Sequence, residues 1–466
     1  MGKSDDPRRQ LPGVDSLLTH PQLHGFSASI RQDIIVSVIR SELNQARAAI
    51  QQGKTVPEVD KFAAICAHRL NSLLTPSIKK VINATGVILH TGLGRAPLSK
   101  HAQQAIVNSA EYCNLEFDLE RGDRGDRQTH LHDLLVAITG AEDALVVNNN
   151  AAAVYLTLNT LAHRREAIVS RGQLIEIGGS FRLPDIMKRA GVKLIEVGTT
   201  NRTRIGDYAA AITARTALLL RAYPSNYRID GFTESVTIAQ LSDLARQHEH
   251  LIVVDDLGGG VPQDWTSLGL PYEPNIRESL ESGADLVMVS GDKVLGGPQA
   301  GIILGKTAYV SKLKKSPLAR VLRCDKSTLT ALETTLREYL HPTDYRMHIP
   351  SWHMLTESPE QIRIRAEALR DELATLTAWS ILEVTDSSAY AGSGTLPAVP
   401  IDSFAVRCLP QNWTSSKWAK ALRLAAFPVI GTVRDESLWL DMRTINTDEL
   451  QTTVNTVREV LSKGKS

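Results

Sequence analysis

The sequence predicts an α/β protein whose central sheet is mostly parallel, with a helical unit before it and a small α+β region after it. Short β-branched apolar runs, separated by helix-length stretches, begin near residue 140 and predict the sheet. The first 80 residues show helical periodicity, and the pattern changes again near residue 335. We therefore expect three domains, at residues 1–80, 81–335 and 336–466, which agrees with a length of 466 residues.

The elements are predicted in chain order from their apolar spacing. Residues 30–43 predict an amphipathic helix, with Ser29 as a candidate N-cap and Gly53 as its stop, and residues 59–74 predict a second helix between two prolines. Seven strands follow, each short and almost continuously apolar: 144–147, 167–169, 194–197, 217–220, 251–254, 286–289 and 301–304. The last region predicts a charged helix at 360–376 and strands at 404–408, 429–433 and 438–442, the last two joined by a turn at Asp435 and Glu436.

The composition is typical of a folded protein, with 42% apolar and 22% charged residues. Lysine and arginine total 52 against 51 acidic residues, a balance that disfavours a dedicated nucleic-acid coat protein. The charge is uneven, because residues 1–80 hold 11 basic and 7 acidic side chains, a net charge of +4. This excess indicates either a solvated helical face or a local surface for an anionic partner.

We expect a cytoplasmic protein. The first ten residues are polar and charged, and no apolar run reaches the roughly 18 residues of a membrane span, so neither a signal peptide nor a membrane partner is expected. The four cysteines are too widely spaced for a metal-binding motif and are expected to be reduced thiols (Cys66, Cys113, Cys324 and Cys408). No metal is expected.

A lysine follows the sixth predicted strand, in the segment SGDKVLGGPQAG at residues 290–301. Ligands of parallel sheets bind beyond the carboxyl ends of the strands, where Lys293 is expected to lie in a tight turn. A lysine that is buried there has a lowered pKa and can form a Schiff base. The alternative is an ordinary surface lysine in a loop.

Two aspartates, Asp255 and Asp256, follow the strand at 251–254 and favour the Schiff-base interpretation. An enzyme that uses pyridoxal phosphate needs a carboxylate next to the pyridine nitrogen, because the protonated ring is the electron sink for a carbanion. A helix cap or a metal ligand is the alternative role for these carboxylates. Successive side chains of a strand point to opposite faces, so either aspartate can be the one that meets the ring.

The cofactor phosphate needs backbone N–H groups at the start of a helix. Residues 148–153, with the sequence NNNAAA, lie where the strand 144–147 turns into a predicted helix, and their small side chains leave room for an anion. Asn150 and Ala151 are expected to bind the phosphate, and Ser290 can add a hydroxyl. Together these features predict a pyridoxal phosphate enzyme.

Long segments of the chain are similar to one known family. They extend from LPGVDSLL at residues 11–18 to FPVIGTVRDESLWLDMR at residues 427–443, and include INATGVILHTGLGRAPLS, VVNNNAAAVYL, SRGQLIEIGGSFRLPDIM, EVGTTNRT, SNYRIDGFTE, SGDKVLGGPQAGIILGK and RVLRCDKSTLTALE. These segments resemble the bacterial selenocysteine synthases, the L-seryl-tRNA(Sec) selenium transferase family. The resemblance implies a fold-type I pyridoxal phosphate transferase that converts serine on tRNA(Sec) into selenocysteine with selenophosphate, through a cofactor-bound aminoacrylate.

The resemblance also implies roles for residues near the ring. Lys293 is the implied Schiff-base lysine, and Asp256 is favoured over Asp255 as the partner of the pyridine nitrogen. Asp292 is implied to orient or protonate a reacting group. Two other functions stay open: a pyridoxal phosphate lyase that acts on a free small amino acid or amino sugar, and a catalytically silent tRNA-binding scaffold.

Seryl-tRNA(Sec) and selenophosphate are the implied partners. Arg95, Arg320 and Arg323 form the implied pocket for selenophosphate, since guanidinium groups bind a phosphate-like dianion through paired hydrogen bonds. For Arg320 and Arg323, a solvated helix face is the alternative. Residues 1–80 become the implied tRNA-binding domain, and a homodecamer or another ring of dimers is implied, with active sites at subunit interfaces.

Overall fold

The computed structural model describes residues 10–177, 181–341 and 345–463. The chain divides into two compact units, Met1–Lys80 and Val81–Ser466. Most of the polar N-terminal stretch (residues 1–9) and residues 178–180 of the family-like segment 170–187 lie outside the described residues. Within the described ranges, no helix is both long enough and apolar enough to cross a membrane.

The N-terminal unit is helical, as its apolar periodicity predicts. Its two long helices are Gln32–Gln51 and Val59–Leu74, and shorter turns precede them (Val14–Leu18, Pro21–His24 and the 3-10 turn Gly25–Ala28). Side chains from the four α-helices form one buried cluster. The predicted N-cap is wrong, because Arg31 occupies that position and the backbone N–H of Ser29 still bonds back to Phe26 in the preceding turn.

Seven strands form the main sheet, and they correspond one to one to the seven apolar runs in the sequence. In spatial order they are Asp143–Val147, Gly301–Gly305, Leu286–Ser290, Ile252–Gly258, Thr216–Ala222, Glu166–Ser170 and Lys193–Val197. All neighbours are parallel except Gly301–Gly305, which is antiparallel to the strands on both sides. The prediction of a mostly parallel sheet is therefore confirmed.

Helices cover both faces of the main sheet, which explains why its strands are apolar almost throughout. In the strand Thr216–Ala222, Leu219 packs into one buried cluster, while Leu218 and Leu220 pack into another on the opposite face. The helices of this region are Lys100–Ser109, Thr129–Thr139, Asn150–Ala162, Leu183–Arg189, Ile205–Ala211, Ile238–Ala245, Ile276–Glu281, Thr307–Lys315, Pro317–Val321, Lys326–Glu338, Tyr345–His348 and Pro350–Thr356. Two short antiparallel strand pairs are also present, Phe117–Asp118 with Asp123–Arg124 and Glu176–Ile177 with Phe181–Arg182.

A second sheet of five strands is formed mainly by the C-terminal region. In spatial order the strands are Ile82–Ala84, Val429–Arg434, Ser437–Asp441, Ile401–Pro410 and Trp379–Ala389, and only the first pair is parallel. The helices Pro359–Ala374, Ser415–Arg423 and Leu450–Lys463 pack against this sheet. The three strands and the charged helix predicted in this region are therefore present.

Two strands of the second sheet were not predicted, for different physical reasons. Ile82–Ala84 has only three residues, too few for a recognisable pattern. Trp379–Ala389 is an edge strand whose residues are mostly half-buried or exposed, so it has neither an apolar run nor a regular alternation. The strand Ile82–Ala84, at the start of the second unit, pairs with the strand Val429–Arg434 of the C-terminal region. The predicted boundary between residues 81–335 and 336–466 lies within this one compact unit, and it stays a prediction.

The turn between the strands Val429–Arg434 and Ser437–Asp441 allows a test of stability. Asp435 and Glu436 both adopt left-handed backbone angles there, with φ of 48° and 54°. Glycine adopts this conformation without the steric cost of a Cβ atom, so we expect Glu436→Gly to raise the free energy of unfolding by about 1 kcal/mol. Urea denaturation measures the change. Glu372→Gly, on the exposed face of a helix, should lower stability, and equal effects of the two substitutions would contradict the explanation.

Candidate active site

A cavity of about 220 Å³ opens at the carboxyl ends of the main-sheet strands, where the topology predicts a ligand site. Six residues that the sequence singled out line it, namely Arg95, Asn150, Ala151, Asp256, Ser290 and Lys293. The rest of the wall consists of Asn149, Ile175, Tyr223, Ser225, Gly258 and Gln299. The fold therefore gathers residues from distant parts of the chain around one small cavity.

Lys293 lies in the wall of this cavity and is only 6% exposed. Backbone hydrogen bonds of 2.9 Å hold its loop, one from the N–H of Gly296 to the carbonyl of Lys293 and one from Gly297 to Gly291. Burial lowers the pKa of Lys293, although the nearby carboxylate of Asp256 opposes this shift. A lysine with a lowered pKa is more often in the neutral, nucleophilic form that Schiff-base formation needs.

Asp256 faces the cavity from the end of the strand Ile252–Gly258. Its Oδ1 accepts a hydrogen bond of 2.8 Å from Nδ2 of Asn150, and burial raises the pKa of Asp256 to about 6. A positive charge beside this carboxylate would stabilise its ionised form. The strand has a bulge between Asp256 and Gly258, where Gly258 adopts a φ of 66° and an added Cβ would lie 3.3 Å from Nζ of Lys293. Glycine at this position therefore preserves the space around the lysine amine.

Asp255 points to the opposite side of the same strand, as the alternation of side chains requires. Arg221 donates two hydrogen bonds to its carboxylate, from Nε at 2.8 Å and from Nη2 at 2.5 Å, and the hydroxyl of Ser279 donates a third at 2.5 Å. Asp255 is fully buried and does not line the cavity. Its charge is balanced within the protein, so of the two aspartates only Asp256 is available to a ligand in the cavity.

A helix that starts at Asn150 points its N-terminus at the cavity. The side chain of the N-cap residue, Asn149, accepts a hydrogen bond of 2.8 Å from the N–H of Ala152, and the N–H groups of Asn150 and Ala151 have no partner within the helix. An added Cβ at Gly301 would lie 2.1 Å from the carbonyl oxygen of Asn149. Only glycine therefore lets the strand Gly301–Gly305 lie this close to the start of the helix. Free N–H groups at the positive end of a helix can bind a phosphate.

Arg95 and Asp292 form an ion pair at the edge of the cavity. Nη1 of Arg95 lies 2.6 Å from Oδ2 of Asp292, and the N–H of Ala96 donates a hydrogen bond of 3.2 Å to the Asp292 carbonyl. Asp292 does not itself line the cavity. The other N–H donors of the Arg95 guanidinium have no partner among the described residues, so they can bind an anion.

Arg320 and Arg323 are exposed and do not line the cavity of their own chain. Nη1 of Arg323 lies 3.8 Å from Oε1 of Glu116. The segment that carries both arginines lies next to the strand end at Asn148, whose N–H donates a hydrogen bond of 2.8 Å to the carbonyl of Leu322. The structure thus brings Arg95 to the cavity and leaves the other two arginines on the nearby surface.

Several residues of the cavity wall are not among those expected from the sequence. Tyr223 and Ser225 follow the strand Thr216–Ala222, and the rule that ligands bind beyond the carboxyl ends of strands would have found them. Asn149 lies in the segment NNNAAA, but its side chain caps the helix. Gln299 lies in the same loop as Lys293, and nothing in the local sequence distinguishes it from a solvated side chain.

Comparison with known proteins identifies a family. Residues 81–446 match the family described as L-seryl-tRNA selenium transferase, and residues 8–47 match the one described as selenocysteine synthase N terminal. An L-seryl-tRNA(Sec) selenium transferase of Moorella thermoacetica is 46% identical over 94% of this chain and 93% of its own length. One of Carboxydothermus hydrogenoformans is 44% identical over 95% of each chain.

A solved structure of D-glucosaminate-6-phosphate ammonia-lyase has the same fold as this chain. Its TM-score is 0.58 at 20% identity, over 85% of this chain and 99% of that one, so the likeness concerns the fold alone. The fold-type I architecture and the resemblance seen in the sequence are both confirmed. Because one family description covers most of the second unit and the two relatives match over nearly their whole lengths, the chain belongs to the L-seryl-tRNA selenium transferase family.

Proposed function

We infer that this chain converts L-seryl-tRNA(Sec) into L-selenocysteyl-tRNA(Sec), with selenophosphate as the selenium donor and pyridoxal phosphate as the cofactor. The observation that carries this inference is the presence of Lys293 and Asp256 in one small cavity of a chain that belongs to this family. Relatives that bear the name of this activity match almost the whole chain. Because the substrate is a tRNA, the proposed location is the cytoplasm.

The residues of the cavity fit pyridoxal phosphate. Lys293 would bind the aldehyde carbon, Asp256 would face the pyridine nitrogen, and the N–H groups of Asn150 and Ala151, with the hydroxyl of Ser290, would hold the phosphate. The free N–H groups at the helix start and the buried Oδ1 of Asn150, which has no partner among the described residues, support this fit. When bound, the cofactor supplies an electron sink for negative charge at the substrate Cα.

The side chains of the protein then have separate tasks. The amine of Lys293, whose pKa is lowered by burial, can accept the proton from Cα of the seryl group and return a proton later. The carboxylate of Asp256 would keep the pyridine nitrogen of the bound cofactor protonated. The burial of both groups excludes water, which strengthens their electrostatic interaction.

Selenophosphate is proposed to bind next to Arg95. The hydrogen bond of 2.6 Å from Arg95 to Asp292 fixes the orientation of the guanidinium, which makes Asp292 a positioning residue in this proposal. Arg320 and Arg323 are exposed, so they would reach the anion from a neighbouring copy in a homodecamer or another ring of dimers. Three guanidinium groups would then hold the dianion through paired hydrogen bonds.

One assay tests the proposed function. The full-length protein, loaded with pyridoxal phosphate, is incubated with seryl-tRNA(Sec) and selenophosphate, and the amino acid released from the tRNA is identified by mass spectrometry. We expect selenocysteine. Free serine and a phosphorylated amino sugar serve as comparison substrates, and their deamination without any selenocysteyl-tRNA would contradict the proposal and favour a lyase.

Residues 1–80 are proposed to bind the tRNA, because this compact helical unit has a net charge of +4. RNA is held largely through contacts to its backbone. We expect a chain that starts at residue 81 to keep cofactor binding but to bind tRNA at least about tenfold more weakly in a filter assay at fixed salt.

Two full-length variants control for the effect of truncation. Arg40→Glu combined with Arg47→Glu reverses two exposed charges on the helix Gln32–Gln51, and it should also weaken tRNA binding. Lys188→Glu combined with Arg189→Glu makes the same change of charge on the helix Leu183–Arg189 of the second unit, and it should have a smaller effect. Equal affinity of the truncated and complete chains would contradict the assignment.

A further inference from the structure

Three metal-ligating side chains meet outside the cavity. His101 lies in the helix Lys100–Ser109, Glu338 ends the helix Lys326–Glu338, and His348 ends the helix Tyr345–His348. Nδ1 of His101 lies 2.7 Å from Oε1 of Glu338, and Nδ1 of His348 lies 2.8 Å from Oε2 of the same carboxylate. In the part of the chain that the structure describes, this is the one group of three or more histidine, cysteine or acidic side chains close enough to share a metal ion.

The charge of Glu338 is poorly balanced for a buried group. The residue is only 6% exposed, yet the partners of its carboxylate among the described residues are two imidazoles rather than a lysine or an arginine. The neighbouring Arg337 pairs with Glu333 instead. A buried carboxylate whose hydrogen-bond partners are two imidazoles presents a donor set that can bind a metal ion.

We propose that His101, Glu338 and His348 form a zinc site. Two histidines and one carboxylate, with water in the fourth position, are a common donor set for Zn²⁺. Ligands about 2.1 Å from a tetrahedral ion lie roughly 3.4 Å apart, and one ligand atom from each of the three side chains lies within 4.8 Å of the other two, so modest side-chain movements would bring them to this spacing. Both imidazoles can make this shift, because the side chains of His101 and His348 are 64% and 42% exposed.

Metal binding requires a change of tautomer. In the present arrangement, Nδ1 of each imidazole donates its proton to Glu338, whereas a zinc ligand needs a lone pair on Nδ1. The proton therefore moves to Nε2 of each ring, and no oxidant or reductant is needed.

The site is connected to the loop of the active-site lysine. Tyr339, which follows Glu338, donates a hydrogen bond of 2.9 Å from its hydroxyl to the carbonyl of Leu295 and accepts one of 2.7 Å from Nε1 of Trp352. Leu295 lies two residues after Lys293. A zinc ion that joins the three helix segments would therefore also fix the helix end that supports this loop.

Equilibrium dialysis of the full-length, cofactor-loaded protein against Zn²⁺ tests the proposal. We expect about one Zn²⁺ per chain that is lost when His101→Ala and His348→Ala are combined, with affinity at least about 100-fold weaker in the double variant. Zn²⁺ should also raise the thermal unfolding temperature of the wild type but not of the variant. Mg²⁺, which prefers oxygen ligands, should do neither.

A matched control removes two other histidines. His248 and His250 also have neighbouring rings, 6.2 Å apart, but no carboxylate in the described residues completes a three-ligand group with them. The His248→Ala and His250→Ala double variant should bind Zn²⁺ like the wild type. Equal binding by the wild type and the His101/His348 variant, or loss of the bound ion only in the control variant, would overturn the proposal.

Discussion

The Lys293→Ala variant is expected to lose the visible absorption band of the lysine–cofactor Schiff base and at least about 1000-fold of its turnover. That factor corresponds to about 4 kcal/mol of transition-state stabilisation. Alanine removes the amine that is proposed to hold the cofactor and to act as the base next to Cα, and no other lysine is found among the described residues that line the cavity. Absorption spectra and single-turnover rates with seryl-tRNA(Sec) measure the two effects separately.

Two variants separate the chemistry of this lysine from its charge. Lys293→Arg keeps a positive charge but cannot form a Schiff base, because arginine stays protonated, so it should resemble the alanine variant. Lys100→Ala removes an exposed lysine at the start of the helix Lys100–Ser109 and should leave spectrum and turnover unchanged. An unaltered spectrum in Lys293→Ala would exclude the proposed role.

Burial on both faces explains why the main sheet could be predicted from the sequence. A strand of the main sheet such as Leu286–Ser290 is covered on both faces, so its apolar run is continuous and easily recognised. The same signal is absent from the edge strand Trp379–Ala389, whose side chains are only partly covered. The strand Ile82–Ala84 was missed because its pairing with Val429–Arg434 depends on a contact between residues very far apart in the chain.

The candidate site could be predicted in part for a related reason. Asp256 lies near the end of the buried strand Ile252–Gly258, and Lys293 follows the buried strand Leu286–Ser290, so the topology predicts their position at one edge of the sheet. Which of Asp255 and Asp256 faces the cavity depends on the side of the sheet to which each side chain points. A strand that is apolar on both faces does not reveal this alternation in its sequence. Arg320 lies on a short helix of its own, and the direction of such a helix relative to the cavity is set by tertiary packing rather than by local sequence.

The second large effect distinguishes these two neighbouring aspartates. We expect Asp256→Asn to lower kcat/KM by about 100- to 1000-fold, because a neutral amide cannot keep the pyridine nitrogen protonated. Its stability should change little, since the amide still fits beside Asn150 and the site loses only a carboxylate that burial already disfavours. Steady-state kinetics with seryl-tRNA(Sec) and urea denaturation measure the two properties.

Asp255→Asn is the matched control, and its effect should be on stability. The substitution leaves the guanidinium of Arg221 largely buried without a counter-charge and weakens the hydrogen bond from Ser279. Breaking a buried ion pair in this way lowers the free energy of unfolding by about 3 kcal/mol. The folded fraction of this variant should keep most of its activity, because Asp255 does not line the cavity.

The two variants carry the same chemical change at adjacent positions of one strand, so any difference between them reflects the side of the sheet that each residue faces. The pH dependence adds a direct check. Burial raises the pKa of Asp256 to about 6, and a protonated ring nitrogen beside the carboxylate would lower it, so activity should fall only as the pH drops below that value and the carboxylate gains a proton. Asp255→Asn should keep this acid limb of the profile, and Asp256→Asn should lack it. A loss of activity in Asp255→Asn with its stability intact would reverse the assignment of the ring-nitrogen partner.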